Sequence, residues 1–180
     1  MGWYALFVET GREEHVKKHI HNSLDFSVVG TPYELLIAKR EIKERKDGIE
    51  QTVEKRMFPG CILLETENIL EFHLELMTRR SKYLFGVLRQ EGYFKEIALE
   101  EVSRIIYMTD SNGVIRSSDI IVENNRIIVT KGPLKNYDGF IKRIDRRKKR
   151  VEVLFMFNGA EHFINLSVNV IEKFSNDTLR

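Results

Sequence analysis

Five consecutive basic residues, at positions 146–150, carry the most evident chemistry in the sequence. Arginine and lysine side chains neutralise phosphates and release their counterions, which gives affinity for nucleic acids without sequence specificity. Because the formal net charge of the 180-residue chain is only +2, this positive charge is a local feature. A solvated hairpin tip is the alternative interpretation, and the run taken alone favours neither.

Recognition of particular bases requires side chains other than cations, and several lie close to the basic run in the sequence. Tyr137 and Phe157 are candidates for stacking on bases, and the amides of Asn136 and Asn158 are able to read base edges. Packing of Tyr137 over its own turn is the alternative. The predicted nucleic-acid-binding residues are Lys131, Lys135, Asn136, Tyr137, Lys142, Arg143, Arg146, Arg147, Lys148, Lys149, Arg150 and Asn158.

Catalytic motifs are absent from the sequence, which has no Walker-type glycine loop, no Gly-x-Ser-x-Gly and no His-Glu-x-x-His. His15 and His19 have the i, i+4 spacing of metal ligands. Because a zinc site needs a third or fourth ligand, a solvated helix face is the favoured interpretation. Glu71 and Glu75 are likewise interpreted as surface charges. We therefore predict a protein that is not an enzyme, with no catalytic residues, no metal and no cofactor.

The single cysteine and the N-terminal residues bear on the cellular compartment. Cys61 lies in an apolar run, cannot form a disulfide within one chain, and is expected to be a buried, inert thiol. Residues 1–9 lack the basic start of a signal peptide, and their apolar run is too short to span a membrane. We expect a soluble cytoplasmic monomer that does not contact membranes.

Hydrophobic spacing predicts strands and helices packed together before residue 110. The predicted strands are 3–9, 33–42, 61–64 in the centre of a sheet, and 83–88, with a connector at 28–32. The predicted helices are 12–24, 68–80 with Asn68 as N-cap, and 99–107. Ile69, Phe72, Leu76 and Met77 lie at helical spacing in the second of these helices, and Val102, Ile105 and Ile106 of the third are expected to face inward. Asp47-Gly48, between charged segments, predicts a hairpin tip.

After residue 110 the composition changes. Residues 110–120 are polar and turn-prone, as in an interdomain linker. Short strands are then predicted at 127–130, 139–145, 151–157 and 162–166, separated by turns such as Gly132-Pro133 and Asp138-Gly139. Strands of this length favour a small barrel. The predicted organisation is a domain at 1–109, a linker at 110–120 and a second domain at 121–180.

Three motifs taken together resemble the bacterial NusG family of transcription elongation factors. They are Trp3-Tyr4, the sequence RMFPGCIL at 56–63, and VTKGP at 129–133 followed by Tyr137-Asp138-Gly139 and Ile144-Asp145. The last of these is similar to the family's KOW motif. The resemblance implies an α+β protein in which an NGN-type α/β sandwich domain precedes a small SH3-like KOW β-barrel.

The resemblance also implies that RNA polymerase is the main partner. The N-terminal domain is then expected to dock on the clamp helices of the polymerase, with the hairpin at 40–55 reaching toward DNA or the opposite polymerase lobe. The implied polymerase-binding residues are Trp3, Tyr4, Phe7, Phe58, Tyr83 and Phe85. Burial in the core is the alternative for each of these aromatic residues.

Two departures from the general members of the family point to a specialised paralog. Those members carry a Phe-Gly-Arg-type loop that contacts a ribosomal protein, whereas residues 157–160 read Phe-Asn-Gly-Ala and have no arginine. The basic cluster is also denser than in an ordinary KOW barrel. This combination resembles the LoaP group most, which implies a processive antiterminator that binds an RNA hairpin through the KOW domain, and possible recruitment by DNA is left open.

Two other functions compatible with the same residues are retained. One is a general NusG factor that couples the polymerase to Rho or to the ribosome. The other is a freestanding RNA-binding protein with a KOW module, which would need no polymerase contact.

Overall fold

The computed structural model describes residues 1–24, 32–79, 81–123 and 126–171. Within them the strands are β1 (Gly2–Val8), β2 (Tyr33–Leu36), β3 (Lys39–Lys46), β4 (Ile49–Arg56), β5 (Cys61–Thr66), β6 (Leu84–Val87), β7 (Arg89–Gln90), β8 (Tyr93–Phe94), β9 (Val114–Ile115), β10 (Ser118–Glu123), β11 (Arg126–Lys131), β12 (Ile141–Asp145), β13 (Arg150–Phe157) and β14 (Ala160–Val170). The helices are α1 (Glu13–Ser23), α2 (Ile69–Thr78), α3 (Leu99–Met108) and the short 3-10 helix Asp138–Phe140.

A four-stranded sheet with the strand order β2-β5-β1-β6 forms the centre of the N-terminal part. β5 is antiparallel to both β2 and β1 and places Leu64 opposite Tyr4 of β1. Cys61 to Leu64 are all buried. The prediction of a central strand is therefore confirmed, because an apolar run pairs on both of its edges.

Helices α1 and α2 each bury one face against this sheet. Val16 and Ile20 of α1 and Phe72 of α2 join Leu6 and Ile62 of the sheet in one hydrophobic cluster. The helical spacing of these side chains places them on a single face of each helix. Burial of such large apolar side chains is the main stabilising contribution to this part of the chain.

Two finer predictions concern the N-cap of α2 and the direction of the apolar side chains of α2 and α3. The backbone N–H of Glu71 donates to Asn68 Oδ1 at 3.2 Å, which confirms Asn68 as an N-cap. Ile106, predicted to face inward, is exposed, so that prediction is wrong, and Met77, which has the helical spacing of the apolar residues, is exposed as well. Each directly follows a buried residue, and a step of one residue turns about 100° around a helix. Only one of two such neighbours can face the core.

The charged segment after residue 38 forms the predicted hairpin. β3 and β4 are joined by Asp47 and Gly48, whose φ angles are 52° and 82°. Left-handed conformations at both positions match a two-residue hairpin turn, and glycine adopts this region without steric cost. The hairpin tip is therefore confirmed.

The predicted strand 33–42 is wrong in its extent, because it is two strands. Ile37 and Ala38 interrupt it and are both buried. At this point the chain leaves the four-stranded sheet and enters a three-stranded sheet of order β4-β3-β9. The continuous apolar pattern does not reveal this change of sheet. Most of the predicted connector at 28–32 lies outside the described residues.

The C-terminal strands form one five-stranded sheet of order β11-β10-β14-β13-β12. β10 runs antiparallel to β11 and parallel to β14. The buried side chains of this sheet include Ile120, Val129, Val151, Val153, Phe155, Ile164, Leu166 and Val168. The predicted strand 139–145 begins at Ile141, because Asp138–Phe140 forms the 3-10 helix. An α+β fold is thus observed, and the SH3-like KOW barrel stays a prediction.

The chain forms two compact units. The first unit contains Met1–Lys39, Arg56–Ile106 and Phe157–Gly159, and the second contains Arg40–Lys55, Tyr107–Met156 and Ala160–Arg180. Residues 110–120 include β9 and the start of β10, and Val114 and Ile115 are buried. The division into 1–109, 110–120 and 121–180 stays a prediction. No helix among the described residues is long and apolar enough to cross a membrane.

Candidate macromolecular binding surfaces

Phe7 and Phe85 expose their rings on neighbouring strands of the first unit. Phe7 of β1 pairs with Gly86 of β6, but the register then shifts, and Val8 lies opposite Leu84. Phe85 is the extra residue at this irregularity, and a bulge of this kind re-aims a side chain. Phe7 is 43% exposed and Phe85 is 72% exposed. Two of the predicted polymerase-binding residues are therefore accessible on adjoining strands.

An open groove of about 570 Å³ adjoins Phe85 in the first unit, and we call it the apolar groove. Its lining residues are His73, Leu76, Met77, Ser81, Lys82, Leu84, Phe85 and Gly86. Burial, and then the nearby Arg89, lower the pKa of His73, which favours the neutral form of its imidazole. Exposed apolar side chains along a concave surface are typical of sites that bind another protein.

Other predicted polymerase-binding residues lie deeper in the first unit. Trp3 and Phe58 are buried, and the Phe58 ring stacks on Phe157 with ring centroids 4.2 Å apart. Tyr4 is half-buried, and burial followed by the charge of Glu96 raises its pKa. Trp3 and Phe58 are thus buried within the unit and are not exposed on its surface.

Tyr83 belongs to a partly exposed cluster that also contains the two histidines with metal-ligand spacing. The Arg12 guanidinium lies 4.9 Å from the centre of the Tyr83 ring, and the His15 ring meets the same ring edge-on at 5.2 Å. His19 Nε2 is 3.4 Å from the carbonyl oxygen of Arg79. Among the described residues no group of three or more His, Cys, Asp or Glu is placed to hold a metal ion.

A buried carboxylate fixes the loop that contains Phe58. Glu13 is fully buried, and its Oε1 accepts a hydrogen bond from the Gly60 N–H at 2.8 Å. Arg56 Nε lies 3.5 Å from Glu13 Oε2. Burial raises the pKa of Glu13, but backbone hydrogen bonds, from Gly60 first, together with Arg56 outweigh it and lower the pKa. The buried position of Glu13 was not predicted from the sequence, since nothing local distinguishes it from a solvated helix residue.

Buried Cys61 follows this loop directly. Burial, and then the charge of Glu13, raise the pKa of its thiol to about 12. A thiol with such a pKa carries almost no thiolate at neutral pH and is a poor nucleophile. The prediction of a buried thiol is confirmed.

Residues 146–149 form the turn between β12 and β13 in the second unit, and we call them the basic turn. The Lys148 N–H donates to Asp145 Oδ1 at 2.9 Å, and Lys149 has a φ of 52°. The exposed basic residues in and beside this turn are Lys142, Arg143, Arg146, Arg147, Lys148 and Lys149, whereas Arg150 is half-buried. The basic side chains that the sequence predicts to bind nucleic acid in this region therefore lie together on one β-hairpin.

Some of these cations already have partners. Lys149 pairs with Glu50 at 3.0 Å, and the Lys149 ammonium holds the pKa of Glu50 below its usual value. Arg150 Nη2 donates to the Lys43 carbonyl oxygen at 2.8 Å. In the described part of the chain, Arg146 and Arg147 form no ion pair. Their charges are therefore available to a phosphate backbone, as are those of exposed Lys142 and Arg143.

The hairpin of β3 and β4 is part of the second unit. The Lys43 N–H donates to Ser167 Oγ at 3.0 Å. Arg116 Nη1 lies 3.5 Å from Glu41 and 3.3 Å from Glu54, one on each hairpin strand. Polar contacts therefore fix a segment that the resemblance expects to reach toward DNA or the polymerase.

The loop of residues 132–140, which we call the aromatic loop, carries further predicted nucleic-acid-binding residues. The Leu134 side chain is buried, and its N–H donates to the buried Ser118 Oγ at 3.0 Å. Exposed Lys131 and Lys135, exposed Asn136 and half-buried Tyr137 lie in or beside this loop. The Tyr137 ring centroid is 5.6 Å from that of Tyr107 and 6.0 Å from that of Phe140.

Asn158 has its contacts within the first unit. Its N–H donates to Glu101 Oε2 at 2.7 Å, and the Gly159 N–H donates to Glu101 Oε1 at 3.0 Å. The carbonyl oxygen of Asn158 accepts from Lys95 Nζ at 3.4 Å. The backbone groups of Asn158 are therefore bound by protein groups, and the Phe157 ring is stacked on Phe58.

An apolar groove and a basic turn are features typical of proteins that bind other macromolecules. Residues 1–106 match the sequence profile of the NusG family, described as "Transcription termination factor nusG". The chain belongs to the NusG family, as its motifs suggest. Members of this family are transcription factors and not enzymes, so the expectation of a non-enzymatic protein is confirmed.

Individual relatives are similar along nearly the whole chain. The Pseudomonas aeruginosa transcription termination/antitermination protein NusG is 21% identical over 174 residues, which cover 95% of this chain and 97% of the relative. The Staphylococcus aureus protein of the same name is 24% identical over 176 residues, covering 95% and 94%. A solved structure, "Domain interaction in Thermotoga maritima NusG", aligns with a TM-score of 0.53 at 19% identity and covers 92% of this chain and 93% of that one. That likeness supports a common fold.

Proposed function

We propose that this protein is a processive transcription antiterminator of the specialised, LoaP-like type. In this proposal the first unit binds RNA polymerase, and the second unit binds an RNA hairpin that recruits the factor. The observation that carries the proposal is the basic turn, in which Arg146 and Arg147 are exposed and form no ion pair in the described part of the chain. Exposed, unneutralised cations on a β-hairpin suit a phosphate backbone.

The apolar groove supports the polymerase part of the proposal. Phe85 and Met77 are exposed along it, and Phe7 is exposed on the strand paired with that of Phe85. Aromatic side chains in a groove supply much of the binding energy in many protein interfaces. Trp3 and Phe58 are buried, so their substitution would test folding as much as docking.

A general NusG factor is the competing function, and the relatives that match the chain along its length favour it by name. Two of them are called transcription termination/antitermination proteins. A general factor should hold a protein partner through its second unit and bind RNA weakly. Binding of leader RNA therefore separates the two functions.

Reversing the charge of the basic turn tests the RNA part. Arg146→Glu with Arg147→Glu should lower affinity for a hairpin RNA by about tenfold or more. The slope of log affinity against log salt concentration should fall by about 2, since two phosphate contacts are lost. Fluorescence anisotropy at several salt concentrations measures both quantities. Lys17→Glu with Lys18→Glu on α1 changes net charge equally and is the control; equal losses in the two variants contradict the proposal.

Truncating Phe85 tests the polymerase part. Phe85→Ala should weaken binding to purified RNA polymerase by roughly thirtyfold, as expected for an interface hot spot. Tyr93→Ala removes another exposed aromatic ring of the first unit and should have little effect. Biolayer interferometry with immobilised polymerase gives the dissociation constants. Wild-type affinity in the Phe85 variant would show that the apolar groove is not the docking surface.

A further inference from the structure

The aromatic loop is fixed by a buried side chain and by backbone hydrogen bonds. Leu134 is buried and its N–H is bound by Ser118, while the Lys135 N–H donates to the Gly132 carbonyl oxygen at 3.1 Å. The Tyr137 N–H donates to the Leu134 carbonyl oxygen at 2.9 Å. Successive turns tied to a buried anchor leave little freedom for the residues between them. Lys135 and Tyr137 are therefore presented in a preorganised form, which lowers the entropic cost of binding.

Three aromatic rings form a series at this loop. The rings of Tyr107 and Tyr137 are tilted by 52°, and those of Tyr137 and Phe140 by 46°. Rings tilted to this degree do not cover one another as parallel stacked rings do. Tyr107 ends the series and is 65% exposed, while the adjacent Met108 is buried. A ring that only braced the loop would be buried with it, so the exposure of Tyr107 indicates a surface available to a ligand.

The charges around the aromatic series favour an anionic ligand. Residues 131–142 include three lysines, at positions 131, 135 and 142, and one carboxylate, Asp138. All three lysines are exposed. Aromatic faces beside cations are the combination that binds single-stranded nucleic acid, with bases on the rings and phosphates on the cations.

We propose that Tyr107, Tyr137 and Phe140 form a stacking platform for unpaired bases of an RNA loop. This inference rests on the proposed RNA-binding function. It assigns different roles to two sites in the second unit, the basic turn and the platform. The basic turn neutralises the backbone of the RNA, while the platform detects that bases are unpaired, because duplex bases cannot offer their faces. Tyr107, which none of the sequence motifs marks, is a binding residue in this arrangement.

Two RNA probes separate the platform from general electrostatic binding. One is a hairpin RNA with an eight-nucleotide unpaired loop, and the other is a blunt duplex with the sequence of its stem. Tyr107→Ala in the full chain should bind the looped RNA about tenfold more weakly, because stacking on one ring is lost. It should bind the duplex as the wild type does, and its salt dependence should not change. Fluorescence anisotropy at physiological salt measures the affinities.

Two further variants make the result specific. Tyr107→Phe keeps the ring and should bind the looped RNA with wild-type affinity. Phe163→Ala removes an exposed ring of β14 in the same unit and should leave both affinities unchanged. Circular dichroism checks that every variant is folded.

Each contrary outcome has a distinct meaning. If the wild type binds the looped RNA and Tyr107→Ala binds it equally well, the platform is overturned and the proposed function stands. If the wild type binds neither RNA, both proposals fall. Equal losses on duplex and looped RNA would assign Tyr107 a structural role and overturn the platform. A single-stranded DNA of the loop sequence that binds more tightly than the RNA, and depends on Tyr107, would overturn the assignment to RNA.

Discussion

The loop around Gly60 in the first unit and the loop around Gly132 in the second are each held by a buried side chain from another element. Glu13 accepts the Gly60 N–H at 2.8 Å, and Ser118 accepts the Leu134 N–H at 3.0 Å. Both glycines have positive φ, 77° and 99°. The two acceptors differ in charge, since Glu13 provides a carboxylate and Ser118 a neutral hydroxyl. The hydrogen bond to Glu13 should therefore contribute more to the unfolding free energy than the one to Ser118. Only the contribution of Glu13 should depend on pH.

Glu13→Ala should have the largest effect. It leaves the Gly60 amide and the Arg56 guanidinium without their buried partner, which should cost about 3 kcal/mol of unfolding free energy. Urea unfolding followed by the fluorescence of Trp3, the only tryptophan, reports on the first unit. Glu14→Ala removes an exposed neighbouring carboxylate and is the control. Equal stabilities for the two variants would remove the distinction between a charged and a neutral anchor.

Gly132→Ala should have an intermediate effect and act on the second unit. A Cβ at this position would lie 2.8 Å from Ser118 Cα, and φ is 99°. Backbone on both sides has to move, which should cost about 2 kcal/mol. Hydrogen exchange of β10 amides measures the local stability. Gly139→Ala, where a Cβ meets nothing within 4 Å, is the matched control in the same loop and should be nearly neutral.

The pH dependence should give the smallest difference. The folded protein lowers the pKa of Glu13 below its ordinary value of 4.5, so the stabilisation from Glu13 is complete above that value. It is lost as the pH falls through the folded pKa. Between neutral pH and acid, the unfolding free energy of the wild type should fall more steeply than that of Glu13→Gln. Ser118→Ala should keep the wild-type slope, and a common slope for all three proteins would contradict the comparison.

Several elements were predictable because their signals are local. The N-cap at Asn68, the turn at Asp47-Gly48 and the apolar strand starting at Cys61 each depend on a few neighbouring residues. The basic turn was similarly predictable as a run of charge. Its display on the hairpin of β12 and β13 follows from short-range pairing.

Other features depend on contacts between separated segments and were missed. The strand predicted at 33–42 divides where the chain changes sheets, and Met77 and Ile106 face away from the core. Glu13 meets a residue 47 positions away. No local pattern reports such a pairing, since a helix carboxylate is usually solvated.

The sequence by itself determined the family, through its three motifs, and the location of positive charge and turns, because these properties belong to the chain order. Only the tertiary structure decided which of the similar aromatic residues are available. Trp3 and Phe58 are buried while Phe85 and Tyr107 are exposed. The tertiary structure also decided which cations have ion-pair partners, since Lys149 pairs with Glu50, which lies 99 positions away in the sequence. Exposure and pairing are properties of surfaces brought together by folding, and residue type alone does not specify them.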